Sequence, residues 1–138
     1  MKSRESLIRL QRFQVNEKRR QVVDIETMIA DFERMAAELD QQILAEQERT
    51  GIEDVSHFAY STFAKAAAQR RDNLKESAAE LEGKLNAAQE ELATAFEELK
   101  KVEMLEAKEA EKARVAELAL EQSELDEVAL RGSTVSSM

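Results

Sequence analysis

Apolar residues fall at a spacing of seven along the first third of the chain. Ile8, Val15, Val22, Ile29, Ala36 and Ile43 form one row, and Ile25, Phe32 and Leu39 a companion row three residues later. Before Ile25 that companion row holds Gln11 and Lys18, so the seam is weaker towards residue 1. From Leu74 the alternation of four and three is unbroken through Ala78, Leu81, Leu85, Ala88, Leu92, Ala95, Leu99 and Val102. Narrow stripes with a period of 3.5 predict two coiled-coil helices rather than strands. Between them lies Thr50-Gly51-Ile52-Glu53-Asp54-Val55-Ser56-His57, the one clear break, where Gly frees the backbone and Asp54 or Ser56 can cap a following helix. The expected elements are helix 1 over about 4–49, a turn over about 50–57 and helix 2 over about 58–131. Gly132 and the Ser-rich residues after it read as a stop and a disordered tail, 132–138. After Val102 the seam decays, with Glu106 and Glu109 at seam positions.

Charge chooses how the helices pair. Residues 1–20 carry seven basic and two acidic side chains, and the tract from Glu103 to Glu127 is strongly acidic. A short connection makes neighbouring helices antiparallel. Folding back near residue 55 opposes positions whose numbers add to about 110, so the basic start meets Glu90, Glu91, Glu97, Glu98, Glu103, Glu106 and Glu109. A parallel dimer would set the basic start against its own copy. The expectation is therefore all-α: a single antiparallel two-helix coiled-coil hairpin over 1–131, its second helix longer, monomeric when alone. Residues from about 110 to 131 are left without an opposing helix.

Composition excludes most chemistry. The chain has 138 residues, no Pro, Cys or Trp, three Gly and one His, with 36% charged residues and a net charge of −9. A thiolate metal site needs Cys, and a phosphate loop needs a Gly-rich segment. The acidic balance disfavours nucleic acid and anionic lipid as partners. No apolar run approaches the ~20 residues of a membrane span, and the start lacks the apolar core of a secretory signal. A two-helix hairpin has no concave interior in which catalytic groups can converge, so no enzyme, cofactor or metal is expected. His57 reads as a loop residue, and the paired glutamates as solvated surface.

Two apolar features exceed what a hairpin needs. Phe58, Tyr60 and Phe63 cluster just after the turn, either as a small core against Ile43 and Leu44 or as a contact face. That face continues along one stripe through Phe63, Ala67, Arg70 and Leu74. Leu10 and Phe13 lie off the Ile8/Val15 row beside Arg9 and Arg12. They mark either an interface or a local shift of the seam. Met28 and Met35 border the seam as core edge.

These residues resemble a known family. The opening Leu7-Ile8-Arg9-Leu10-Gln11-Arg12-Phe13-Gln14-Val15-Asn16-Glu17-Lys18-Arg19-Arg20 looks like the amphipathic basic start of the FliJ-like proteins of bacterial flagellar type III export. Tyr60-Ser61-Thr62-Phe63 is similar to that family's post-turn Tyr-x-x-Phe motif, and chain length and hairpin design agree. The tract Gln11–Leu105 looks most like alphaproteobacterial members. The resemblance implies a stalk-like cytoplasmic component at the inner face of the cell membrane, serving flagellum biogenesis, motility and chemotaxis. Its implied partners are the hexameric export ATPase, the cytoplasmic domain of the export gate and export chaperones. Carried over, Phe63 is the gate-contacting candidate, with Ala67, Arg70 and Leu74 after it on the stripe. Ala67 and Arg70 depart from the residues found in some members. Arg9, Arg12, Arg19 and Arg20 are the candidates for the ATPase ring. A generic coiled-coil adaptor or chaperone without an ATPase partner explains the seam equally well, but not the aromatic cluster. A membrane-surface role for residues 1–20 is opposed by the net charge.

Overall fold

The computed structural model describes residues 2–136, and side chains from residue 4 to residue 132. Two helices make up the chain, α1 (Lys2–Thr50) and α2 (Thr62–Ser136), the second being the longer. They pack antiparallel as a hairpin. The seam of α1 is the heptad row read from the sequence: Val15, Val22, Ile29, Ala36 and Ile43 are all buried. On α2, Ala78, Leu81, Ala88, Ala95 and Leu99 are buried, while Leu74, Leu85, Leu92 and Val102 are half-buried. Large or β-branched residues of α1 thus face a row of α2 rich in alanine, which knobs-into-holes packing accommodates at close approach.

Contacts divide the molecule into two units, one joining the residues up to Arg12 with those from Phe96 onward, the other running from Phe13 to Ala95. In the second unit, Lys18 Nζ lies 2.9 Å from Glu91 Oε2, and an Arg71 guanidinium nitrogen 2.9 Å from Asp40 Oδ1. Both pairs keep the register in which opposing numbers add to about 110. In the first unit Arg12 reaches Glu103 at 3.1 Å, and Arg4 pairs with Glu109 and Glu106. Exposed pairs of this kind contribute only ~0.2–1 kcal/mol each, so they set register more than they stabilise. From Ala107 to Gly132 every residue is exposed.

The ends of the helices depart from the sequence reading. α2 starts at Thr62, not near residue 58, because Ser61 is its cap: Ser61 Oγ accepts from the Ala64 N–H at 3.2 Å. Asp54 is spent inside the turn, accepting from the Ser56 N–H and hydroxyl at 3.0 and 2.7 Å. At the other end α2 runs through Gly132 to Ser136. Gly132 lacks the positive φ of a helix-ending glycine, and among the described residues only Gly51 has one (73°). The expected tail is therefore helical over 132–136, and residues 137–138 lie outside the described residues.

Candidate partner-binding site

The turn is built by its own hydrogen bonds. Gly51 ends α1 in the left-handed conformation, its N–H donating to the Gln47 carbonyl at 2.8 Å, the αL form of a helix C-cap. The His57 N–H donates to the Asp54 carbonyl and the Tyr60 N–H to the His57 carbonyl. Imidazole Nδ1 of His57 accepts from the Ala59 N–H at 3.0 Å, which leaves the ring proton on Nε2 when the ring is neutral. Across the turn, Ser61 Oγ donates to Glu46 Oε1 at 3.0 Å. Glu46 also accepts from Arg49. These bonds, that of Arg49 first and Ser61 second, hold its carboxyl below the ordinary carboxylate value. The hydroxyl and N–H of Ser56 likewise lower Asp54.

This frame separates the three aromatics. Tyr60 is buried with Ile43, Ala64 and Ala67, and its hydroxyl accepts from Gln47 Nε2 at 3.0 Å. Phe58 is 98% exposed, stacked at 4.7 Å only on His57. Phe63, on the first turn of α2, is 54% exposed. Both readings of the cluster are thus partly realised: Tyr60 plugs the hairpin end, whereas Phe58 and Phe63 face solvent. Leu44 is exposed and takes no part in the plug.

The stripe of Phe63, Ala67, Arg70 and Leu74 runs along the border of the seam. Ala67 faces α1 and is only 6% exposed, so the structure does not present it with the others. Arg70 is exposed and Leu74 half-buried. These two, with Met35, Glu38, Leu39 and Gln42 of α1, line an open groove of about 150 Å³. Its lining mixes the apolar side chains of Met35, Leu39 and Leu74 with the polar ones of Glu38, Gln42 and Arg70. The α1 half of this groove is not evident from the α2 stripe alone, since it depends on the register that brings residues 35–42 opposite 70–74.

The basic candidates are not brought together. Arg12 is engaged by Glu103 and Arg20 by Glu17 at 3.2 Å, while Arg9 and Arg19 are exposed with no ion pair among the described residues. Leu10 and Phe13 are also exposed, and Val15 is buried. The seam therefore follows the Ile8/Val15 row without a shift.

Across nearly this whole helical pair, residues 5–136, the chain matches the family model described as "Flagellar FliJ protein". This chain belongs to the FliJ family. Membership makes it a flagellar export-related protein. No curated protein and no solved structure matches it. Of Tyr60 and Phe63, the first is buried at the turn and the second is exposed beside it. None of the helices described is long and apolar enough to cross a membrane.

Proposed function

We propose that this chain is a non-enzymatic stalk of the flagellar type III export apparatus, linking the export ATPase ring to the cytoplasmic domain of the export gate and assisting export chaperones. It would act in the cytoplasm, at the inner face of the membrane. The gate contact is Phe63 with Arg70 and Leu74, and Ala67 supports that surface from beneath. The observation that carries this reading is the exposure of Phe63 on a helix start pinned by the Ser61 cap and the Glu46 bridge. An aromatic side chain held on rigid backbone loses little entropy on docking. The ring contact is assigned to Arg9, Arg12, Arg19 and Arg20. Cations on a surface rim steer encounter and allow rapid release, as a cycling contact requires.

Titration of the purified chain against the gate's cytoplasmic domain tests the first contact. Phe63→Ala should leave helicity intact and weaken binding about tenfold or more, the range of a buried aromatic anchor. Equal binding by parent and variant would remove Phe63 from the gate contact. Charge reversal at Arg9 and Arg12 should reduce binding to the ATPase and its stimulation of ATP hydrolysis. Failure of the parent chain to bind an active, assembled ATPase would leave the adaptor reading in its place.

A further inference from the structure

The seam of α2 does not simply fade beyond Val102. Continued in step, it would pass through Glu106, Glu109, Ala113, Ala116 and Leu120. The first two of these carry Arg4. A different row takes over: Val115, Leu118, Gln122, Leu125 and Ala129, spaced three, four, three and four. It runs two residues out of step with the old seam, a rotation of roughly 200° at ~100° per residue. The new stripe therefore points away from the side that α1 occupies. All five of its residues are exposed, with Leu118 at 50% and Leu125 at 63%.

We propose, in place of the monomer expected from the sequence, that this stripe pairs with the same stripe of a second copy, antiparallel, in a weak dimer. The charges along the segment choose the occupant and its direction. The residues from Lys108 to Arg114 include three cations and two acids, whereas from Glu117 to Glu127 the only charged side chains are five acids. Parallel pairing sets the acidic half on itself. Antiparallel pairing centred near Ala119 lays the cationic half of each copy on the acidic half of the other. Val115 then packs against the other copy's Leu125, Leu118 against its Gln122, and Lys112 lies beside its Asp126. The exposed tract of 107–132 is its own complement in length. Glu121 meets its own copy near the two-fold axis. That repulsion, a single polar layer and a span of about two heptads keep the dimer weak. This inference is independent of the export reading, because it concerns the purified chain alone.

The test is sedimentation equilibrium of the full chain over a wide concentration range. The average mass should rise from 15.6 kDa towards twice that value. Leu118→Glu with Leu125→Glu should hold it at the monomer while circular dichroism stays unchanged. Lys112→Glu or Asp126→Lys alone should weaken pairing about fivefold, and the double swap should restore it, since each residue meets the other in the opposite copy. Because the chain has no cysteine, single-cysteine variants report direction cleanly. A short bis-maleimide should link Ala119→Cys chains but neither Val115→Cys nor Ala129→Cys chains. A mass that stays monomeric throughout, or linkage at 115 and 129 instead of 119, would overturn the proposal.

Discussion

Two stretches of the same helix, residues 74–102 and 107–132 of α2, are built from similar residues and meet opposite fates. Both are rich in Ala, Leu and Glu, and both are helical. In the first, every seam position is buried or half-buried against α1. In the second, none is. Helix propensity is nearly the same for the two, so it does not explain the difference. What separates them is the opposing helix, which supplies most of the stability of long amphipathic helices.

The sharpest way to break that contrast is to put the same charge into each stretch's apolar contacts. Ile29→Asp, in the α1 row that covers α2, buries a carboxylate without a partner and should cost about 3 kcal/mol or more by thermal or urea unfolding. Leu125→Asp should change stability by less than ~0.5 kcal/mol. A comparable loss from both, measured at a concentration where the chain is monomeric, would mean that the exposed stretch is covered in the monomer. Ser61→Ala should cost about 1 kcal/mol, the usual loss for a helix cap. Hydrogen exchange should locate the added fraying at the start of α2. Gly83→Ala should stabilise by about 0.5–1 kcal/mol, since a Cβ there meets nothing within 4 Å and the position lies on the outer face of the paired stretch.

The smallest effect is that of pH. The carboxyls of Glu46 and Asp54 titrate below their ordinary values of 4.5 and 3.8 in the folded chain. Their contribution is complete above those ordinary values and is lost as pH falls through the lower, folded ones. Acidification through that window should lower the melting temperature, and Glu46→Gln should flatten the fall. A parent and variant with parallel pH profiles would show that the bonds of Arg49 and Ser61 to Glu46 carry no stability.

The hairpin was legible because its signal repeats. Five buried α1 residues in one row, from Val15 to Ile43, follow one period, and opposed charges fix the register independently. The ends were less legible because several residues compete for each role. Asp54, Ser56 and Ser61 are all good caps, and the choice of Ser61 goes with the burial of Tyr60 against Ile43, a contact made across the turn. Gly132 resembles a stop, yet nothing in the fold requires the chain to turn there. At the candidate site, the spacing of Phe63, Ala67, Arg70 and Leu74 puts these residues along one side of α2. It did not reveal which edge of that stripe faces α1, so the burial of Ala67 became visible only with α1 in place. The full exposure of Phe58 has no signature in the local pattern at all.

Tyr60 is the chain's only tyrosine, and there is no tryptophan. Its ring is buried at the closed end of the hairpin and its hydroxyl is held by Gln47. The tyrosine band of the near-ultraviolet dichroism and tyrosine emission therefore come from one location, while far-ultraviolet signals average over both long helices. A partner that pries the turn open would alter the first without the second, and one that binds elsewhere would leave the first untouched. The molecule carries a built-in optical reporter of its own turn, with no label required.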